Sequence, residues 1–160
     1  MPGLSNVVSL DPGELHVLAV RSDGTLWAWG SNGSGELGIG ITMMSHPPTQ
    51  VPGLSGVVSV SAGSRHSMAV RSDGTVWTWG ANSEGEFGIG TFVSSAVPVR
   101  VPSLNGIQSV ASGQSIRQFE AFSLALGYDG TLWSWGANTD GQLGLGGPTR
   151  YSCVPARSLF

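Results

Sequence analysis

The chain has 160 residues, with 25 Gly, 9 Pro and 6 Trp, and only 11% of its residues are charged. A glycine excess without a Gly-X-Y period calls for many tight turns between short strands and argues against long helices. The net charge of −3 gives no electrostatic case for nucleic acid or an anionic membrane surface, and no apolar run approaches membrane-spanning length. One cysteine, Cys153, excludes an internal disulfide and a cysteine-based zinc site. The opening Met-Pro-Gly lacks the basic and apolar regions of a signal peptide. A cytoplasmic location is therefore the expectation for a complete chain, and a secreted parent is an option if the chain is a segment.

In chain order, an apolar strand runs from Val7 towards Gly13 and is followed by His16. Ser22-Asp-Gly-Thr-Leu-Trp-Ala-Trp-Gly30 comes next, then Asn32 to Gly38 in the pattern Asn-x-x-Gly-Glu-Leu-Gly, then a variable segment Ile39–Gln50. The same series begins again 50 positions later: Val57 to Gly63, His66, Ser72-Asp-Gly-Thr-Val-Trp-Thr-Trp-Gly80, Asn82 to Gly88 and Ile89–Val99. A third copy carries Tyr128-Asp-Gly-Thr-Leu-Trp-Ser-Trp-Gly136, Asn138 to Gly144 and Leu145–Ala156. All six Trp lie in the three Trp-x-Trp-Gly segments: Trp27, Trp29, Trp77, Trp79, Trp133 and Trp135.

Each unit reads as four short strands. In the second copy these are Val57–Ala62, His66–Arg71, Thr75–Gly80 and Val97–Pro102. Asp-Gly supplies the positive φ that a tight hairpin needs. The two Trp of each copy fall on one face of their strand, where they are expected to wedge between neighbouring units and bury a large apolar area. Asn82 and the glycines after it suit an irregular loop. A four-stranded unit of this length fits a β-propeller blade. The expected array spans 1–160, with units 1–52, 53–102 and 103–160.

Gly63-Ser-Arg-His-Ser-Met-Ala-Val70, the Asp-Gly-x-Leu/Val-Trp-x-Trp-Gly segments and Asn138-Thr-Asp-Gly-Gln-Leu-Gly144 closely resemble the regulator of chromosome condensation repeat, over essentially the whole chain. Trp-x-Trp-Gly and the compact spacing look most like bacterial members. The resemblance implies an all-β propeller whose usual ring has seven blades. Three blades form a partial ring, either a fragment of a longer propeller or half of a homodimer completing a six-blade ring. It also implies a non-enzymatic scaffold that binds a protein partner. Known roles in the family include nucleotide exchange on a small GTPase, chromatin docking and inhibition of secreted β-lactamases. A purely structural segment of a larger secreted or surface protein is the remaining alternative.

The third unit departs from the first two. Eight residues, Gln114 to Ala121, separate Gly113 from Phe122, where Gly13 and Gly63 are each followed by two before the histidine. Phe122 stands in the place of His16 and His66. Expanded loops on regular scaffolds often carry function, so Arg117, Phe119 and Glu120 are candidate partner contacts. The six Trp, Gly30, Gly80, Gly136, His16 and His66 read as structural repeat residues, the histidine rings satisfying backbone groups near their turns.

No catalytic or metal set assembles from the sequence, and no cofactor is expected. Gly33-Ser-Gly35-Glu-Leu-Gly38 spells the dinucleotide fingerprint without the following helix that the fingerprint requires. His46, in Ser45-His46-Pro47-Pro48, is expected to be solvated.

Overall fold

The computed structural model describes residues 4–114 and 120–159. It contains three four-stranded antiparallel sheets, each with its strands in sequential order. The first sheet comprises β1 (Val7–Pro12), β2 (His16–Arg21), β3 (Leu26–Asn32) and β4 (Met43–Gln50). The second comprises β5 (Val57–Ala62), β6 (His66–Arg71), β7 (Val76–Gly80) and β8 (Ser95–Arg100). The third comprises β9 (Ile107–Ser112), β10 (Phe122–Gly127), β11 (Leu132–Ala137) and β12 (Tyr151–Arg157). Among the described residues there is no helix.

The expected strands of the second unit are present, with the third starting at Val76 rather than Thr75 and the outer strand displaced by two residues to Ser95–Arg100. Its outer strand begins at Ser95 rather than Val97, because a register shift between Thr78 and Gly80 lets Ser95 pair with Gly80. Each inner hairpin closes through an Asp-Gly turn. Gly24 N–H donates to Arg21 O at 2.9 Å and Arg21 N–H to Thr25 O at 3.0 Å, so Ser22, Asp23 and Gly24 form the loop. Only the glycine takes a positive φ, 76° at both Gly24 and Gly74. The aspartate instead accepts from the threonine two residues on, Asp23 Oδ1 from Thr25 N–H at 3.0 Å and from Thr25 Oγ1 at 2.6 Å. The same bonds recur at Asp73. They hold both carboxyls below the usual range.

The core lies between the sheets. One buried cluster joins Leu18, Leu26 and Leu37 of the first unit to Val57, Val60 and Trp79 of the second. Another joins Met68, Val70 and Val76 of the second unit to Ile107, Ala125 and Trp135 of the third. A single sheet of this size cannot bury both its faces, so stacking neighbouring blades is what creates the interior.

Candidate functional site

The blades meet through a repeated set of contacts. We call the side of a blade towards its predecessor the leading face and the opposite side the trailing face. Ser67 and Trp79 are cross-strand partners on the leading face of the second blade. Trp79 Nε1–H donates to Glu36 O at 2.7 Å, and Ser67 Oγ–H donates to the same carbonyl at 2.7 Å. His16 Nε2 lies 2.8 Å from Ser67 Oγ. Since the hydroxyl proton goes to Glu36 O, the serine oxygen accepts from Nε2–H, which fixes the neutral tautomer of His16.

The next junction repeats the arrangement. Trp135 Nε1–H donates to Glu86 O at 2.6 Å, Ser123 Oγ to the same carbonyl at 2.9 Å, and His66 Nε2 lies 3.2 Å from Ser123 Oγ. Burial holds His16 down at about 4, against a smaller upward pull from Asp11. Burial holds His66 at about 3, with the neighbouring His16 adding to the depression. These histidines do not satisfy their own turns, as their sequence position had implied. Each ring crosses to the following blade, because glycine at 13 and 63 leaves it room: a Cβ at Gly63 would lie 2.5 Å from His66 Cε1. Nδ1 of both rings is buried without a partner.

Ser67 and His16 are the nearest approach to a catalytic pair among the described residues, yet Ser67 is fully buried and its proton is already donated. Asp11 Oδ2 accepts from Ala62 N–H at 2.8 Å and from Ser61 Oγ rather than from the imidazole. Among the described residues no group of His, Cys, Asp and Glu could hold a metal ion. His46 is half-buried on β4 with Nδ1 enclosed, not solvated as expected.

The Gly-Ser-Gly-Glu-Leu-Gly segment is a junction loop. Asn32 organises it from within, Oδ1 accepting from Leu37 N–H at 3.0 Å and Nδ2 donating to Ile41 O at 2.8 Å. Gly35 and Gly38, with φ of 83° and 70°, let the loop lie against the next blade. A Cβ on Gly35 would come within 2.7 Å of Ala96 Cα, and one on Gly38 within 2.8 Å of Trp79 Nε1.

On the face bearing these loops, a polar cleft opens at the first junction, lined in part by Glu14, Glu36, Ser64 and Arg65. At the second junction Glu86 is pushed up to about 7 by burial. The expanded segment of the third unit, 114–121, takes the chain position of the Gly13–His16 and Gly63–His66 turns. Its first residue, Gln114, donates from Nε2 to Pro12 O of the first blade at 3.2 Å, crossing the array. Glu120 is half-buried at the other end of the loop, while Arg117 and Phe119 lie outside the described residues.

The regulator of chromosome condensation (RCC1) repeat model matches residues 23–70, 73–116 and 129–158. The chain belongs to the regulator of chromosome condensation repeat family. A second model of the same repeat matches residues 7–36 and 57–86. Among solved structures, Prp20p from Saccharomyces cerevisiae, described with its binding properties to Gsp1p and histones, aligns at a TM-score of 0.83 and 26% identity. That alignment covers 97% of this chain and 39% of Prp20p. Yeast RCC1 (Prp20) bound to Kap60 aligns at 0.82 and 27% identity, over 97% of this chain and 37% of that one. Human WBSCR16 shares the fold at 0.82 and 23% identity, over 98% of this chain and 39% of that one. No curated protein matches the chain. The chain thus spans well under half the length of the solved repeat proteins that it resembles, and its three sheets are propeller blades of their type.

Proposed function

We propose that this chain is a non-enzymatic protein-binding repeat module, with its contact surface on the loop face and centred on the expanded loop 114–121. The observation that carries the reading is Gln114 reaching Pro12 O. It ties the start of the expanded segment to the first blade. Rigid blades fix the ends of variable loops and so reduce the cost of ordering them, which favours recognition of a folded protein surface. Similarity to Prp20p, described as binding Gsp1p and histones, supports a protein as the partner class.

Arg117, Phe119 and Glu120 are the contacts we assign, since arginine and aromatic side chains are the types enriched at protein interfaces and Glu120 adjoins them. The units 1–52, 53–102 and 103–160 are the repeating modules of the scaffold. Two copies, three blades each, would complete a six-blade ring and present one continuous loop face.

The test is a pull-down from lysate with the intact chain, then titration of the captured protein against the triple variant Arg117→Ala, Phe119→Ala, Glu120→Ala. We expect affinity to fall by about a hundredfold or more, the loss of one or two anchors, with tryptophan circular dichroism unchanged. Equal affinity removes the loop from the interface. A regulator of a small GTPase is the second reading, favoured by the likeness to Prp20p. It requires that the chain accelerate release of a fluorescent guanine nucleotide from such a GTPase.

A further inference from the structure

The two ends of the array differ from the internal junctions in matched ways. At each internal junction the trailing blade face offers a histidine and the next leading face a serine, His16 to Ser67 and His66 to Ser123. The trailing face of the third blade carries Phe122 in the histidine position, paired with Gly136 as His66 is with Gly80. The leading face of the first blade carries Val17 in the serine position, paired with Trp29 as Ser67 is with Trp79. One end has lost the polar donor and the other has lost its polar acceptor. Set against each other, they form an apolar pair where each internal junction has a polar one.

The remaining contacts keep their chemistry. Among the described residues, Trp29 Nε1–H has no acceptor and Gln142 O, in the position of Glu36 O and Glu86 O, has no donor. Trp29 and Gln142 are half-buried, whereas Trp79, Trp135, Glu36 and Glu86 are buried at the internal junctions. Gly130 keeps the positive φ of Gly24 and Gly74, 80°, yet a Cβ there would meet nothing within 4 Å. Its counterparts lie against Gly56 and Gly106 of the following blade. Asn6 takes the place of those two glycines and holds the same conformation, φ 59° against 66° and 65°. A Cβ at Gly106 would touch nothing within 4 Å, and one at Gly56 would meet only the movable hydroxyl Ser72 Oγ, at 3.3 Å, so such a junction has room for the Cβ of a residue like Asn6.

We propose that the trailing face of the third blade is built to receive the leading face of the first blade of a second copy of this chain. Phe122 packs on Val17, and Trp29 Nε1–H donates to Gln142 O, both across copies. Two such junctions close a six-blade ring, within the range that propellers adopt. This deepens the assembly part of the proposed function and is independent of what binds the loop face.

The test uses the full 160-residue chain. Sedimentation equilibrium is expected to give a discrete species of twice 16.5 kDa. Phe122→His alone or Val17→Ser alone leaves one polar group facing an apolar one, and each is expected to weaken self-association roughly tenfold or more. The double variant rebuilds the His–Ser pair of the internal junctions and is expected to recover most of that loss. Tryptophan circular dichroism of each variant verifies the fold. A dimer in which the two effects simply add does not set Val17 against Phe122, which overturns this junction and the ring it closes while leaving the protein-binding reading of the loop face standing. A monomer at every concentration likewise overturns junction and ring. Open-ended growth overturns the ring alone, because the faces would then meet without closing.

Discussion

The two tryptophans of each Trp-x-Trp-Gly segment share a strand face but do different work. The second, at 79 and 135, is fully buried and donates to a loop carbonyl of the preceding blade. The first, at 27 and 77, is half-buried and donates to the threonine of its own turn. Trp79→Phe therefore loses a buried hydrogen bond and leaves a void, and should cost ~1–3 kcal/mol, read as a lower urea midpoint. Trp29→Phe, at a half-buried residue with no acceptor among the described residues, should change the midpoint of the dissociated chain far less.

The histidines make stability depend on pH. Unfolded histidine titrates near 6.5, while the folded chain refuses the proton until about 4 at His16 and about 3 at His66. Below 6.5 the unfolded state holds more protons, so each histidine lowers stability by ~1.4 kcal/mol per pH unit on acidification. Glu86 opposes them, because its folded value of about 7 against 4.5 makes its contribution full below 4.5 and lost as pH rises to 7. Two histidines outweigh one carboxyl between 4.5 and 6.5, and below 4.5 they act unopposed. The urea midpoint should peak near neutrality, fall gently to pH 4.5 and steeply below it. His66→Phe, copying Phe122, should flatten the profile between 4.5 and 6.5, since one histidine then balances one carboxyl. A profile unchanged by that substitution would show that His66 titrates normally in the folded chain.

At the scale of the element, the hairpin turns serve the junctions as well as the strands. Gly24 O and Gly74 O accept from Val57 N–H and Ile107 N–H of the following blade, both at 3.1 Å. A Cβ at Gly74 would stand 2.9 Å from Gly106 N. Gly74→Ala therefore incurs both the left-handed penalty and a backbone clash. Gly130→Ala incurs only the first, about 1–2 kcal/mol. The difference between their urea midpoints measures the close approach of two blades. The hairpins were legible from Asp-Gly, because turn chemistry is local. The start of β8 was displaced by two residues, because a register shift against β7 is decided between strands.

At the scale of the molecule, the middle blade alone has both faces covered. Its strands β6 and β7 should show the slowest amide hydrogen exchange, with the flanking blades opening first. Closure into a ring would raise the protection of β2 and β10 to that of β6 as concentration increases. Uniform exchange across the dissociated chain would mean that the three blades unfold as one unit.

The repeat, the all-β class, the strands and the pairing of tryptophans on one face were determined by the sequence alone. Each rests on a period or a turn within a few residues of chain. The role of His16 and His66 was not legible, since their partners lie 51 and 57 positions away on another blade. Nor was the use of Glu36 O and Glu86 O, as backbone carbonyls carry no sequence signal. Only the tertiary structure decided which groups face each other across a junction. That registration set the bonds of Trp79 and Trp135, the burial of the histidines, and the matched departures at Val17 and Phe122.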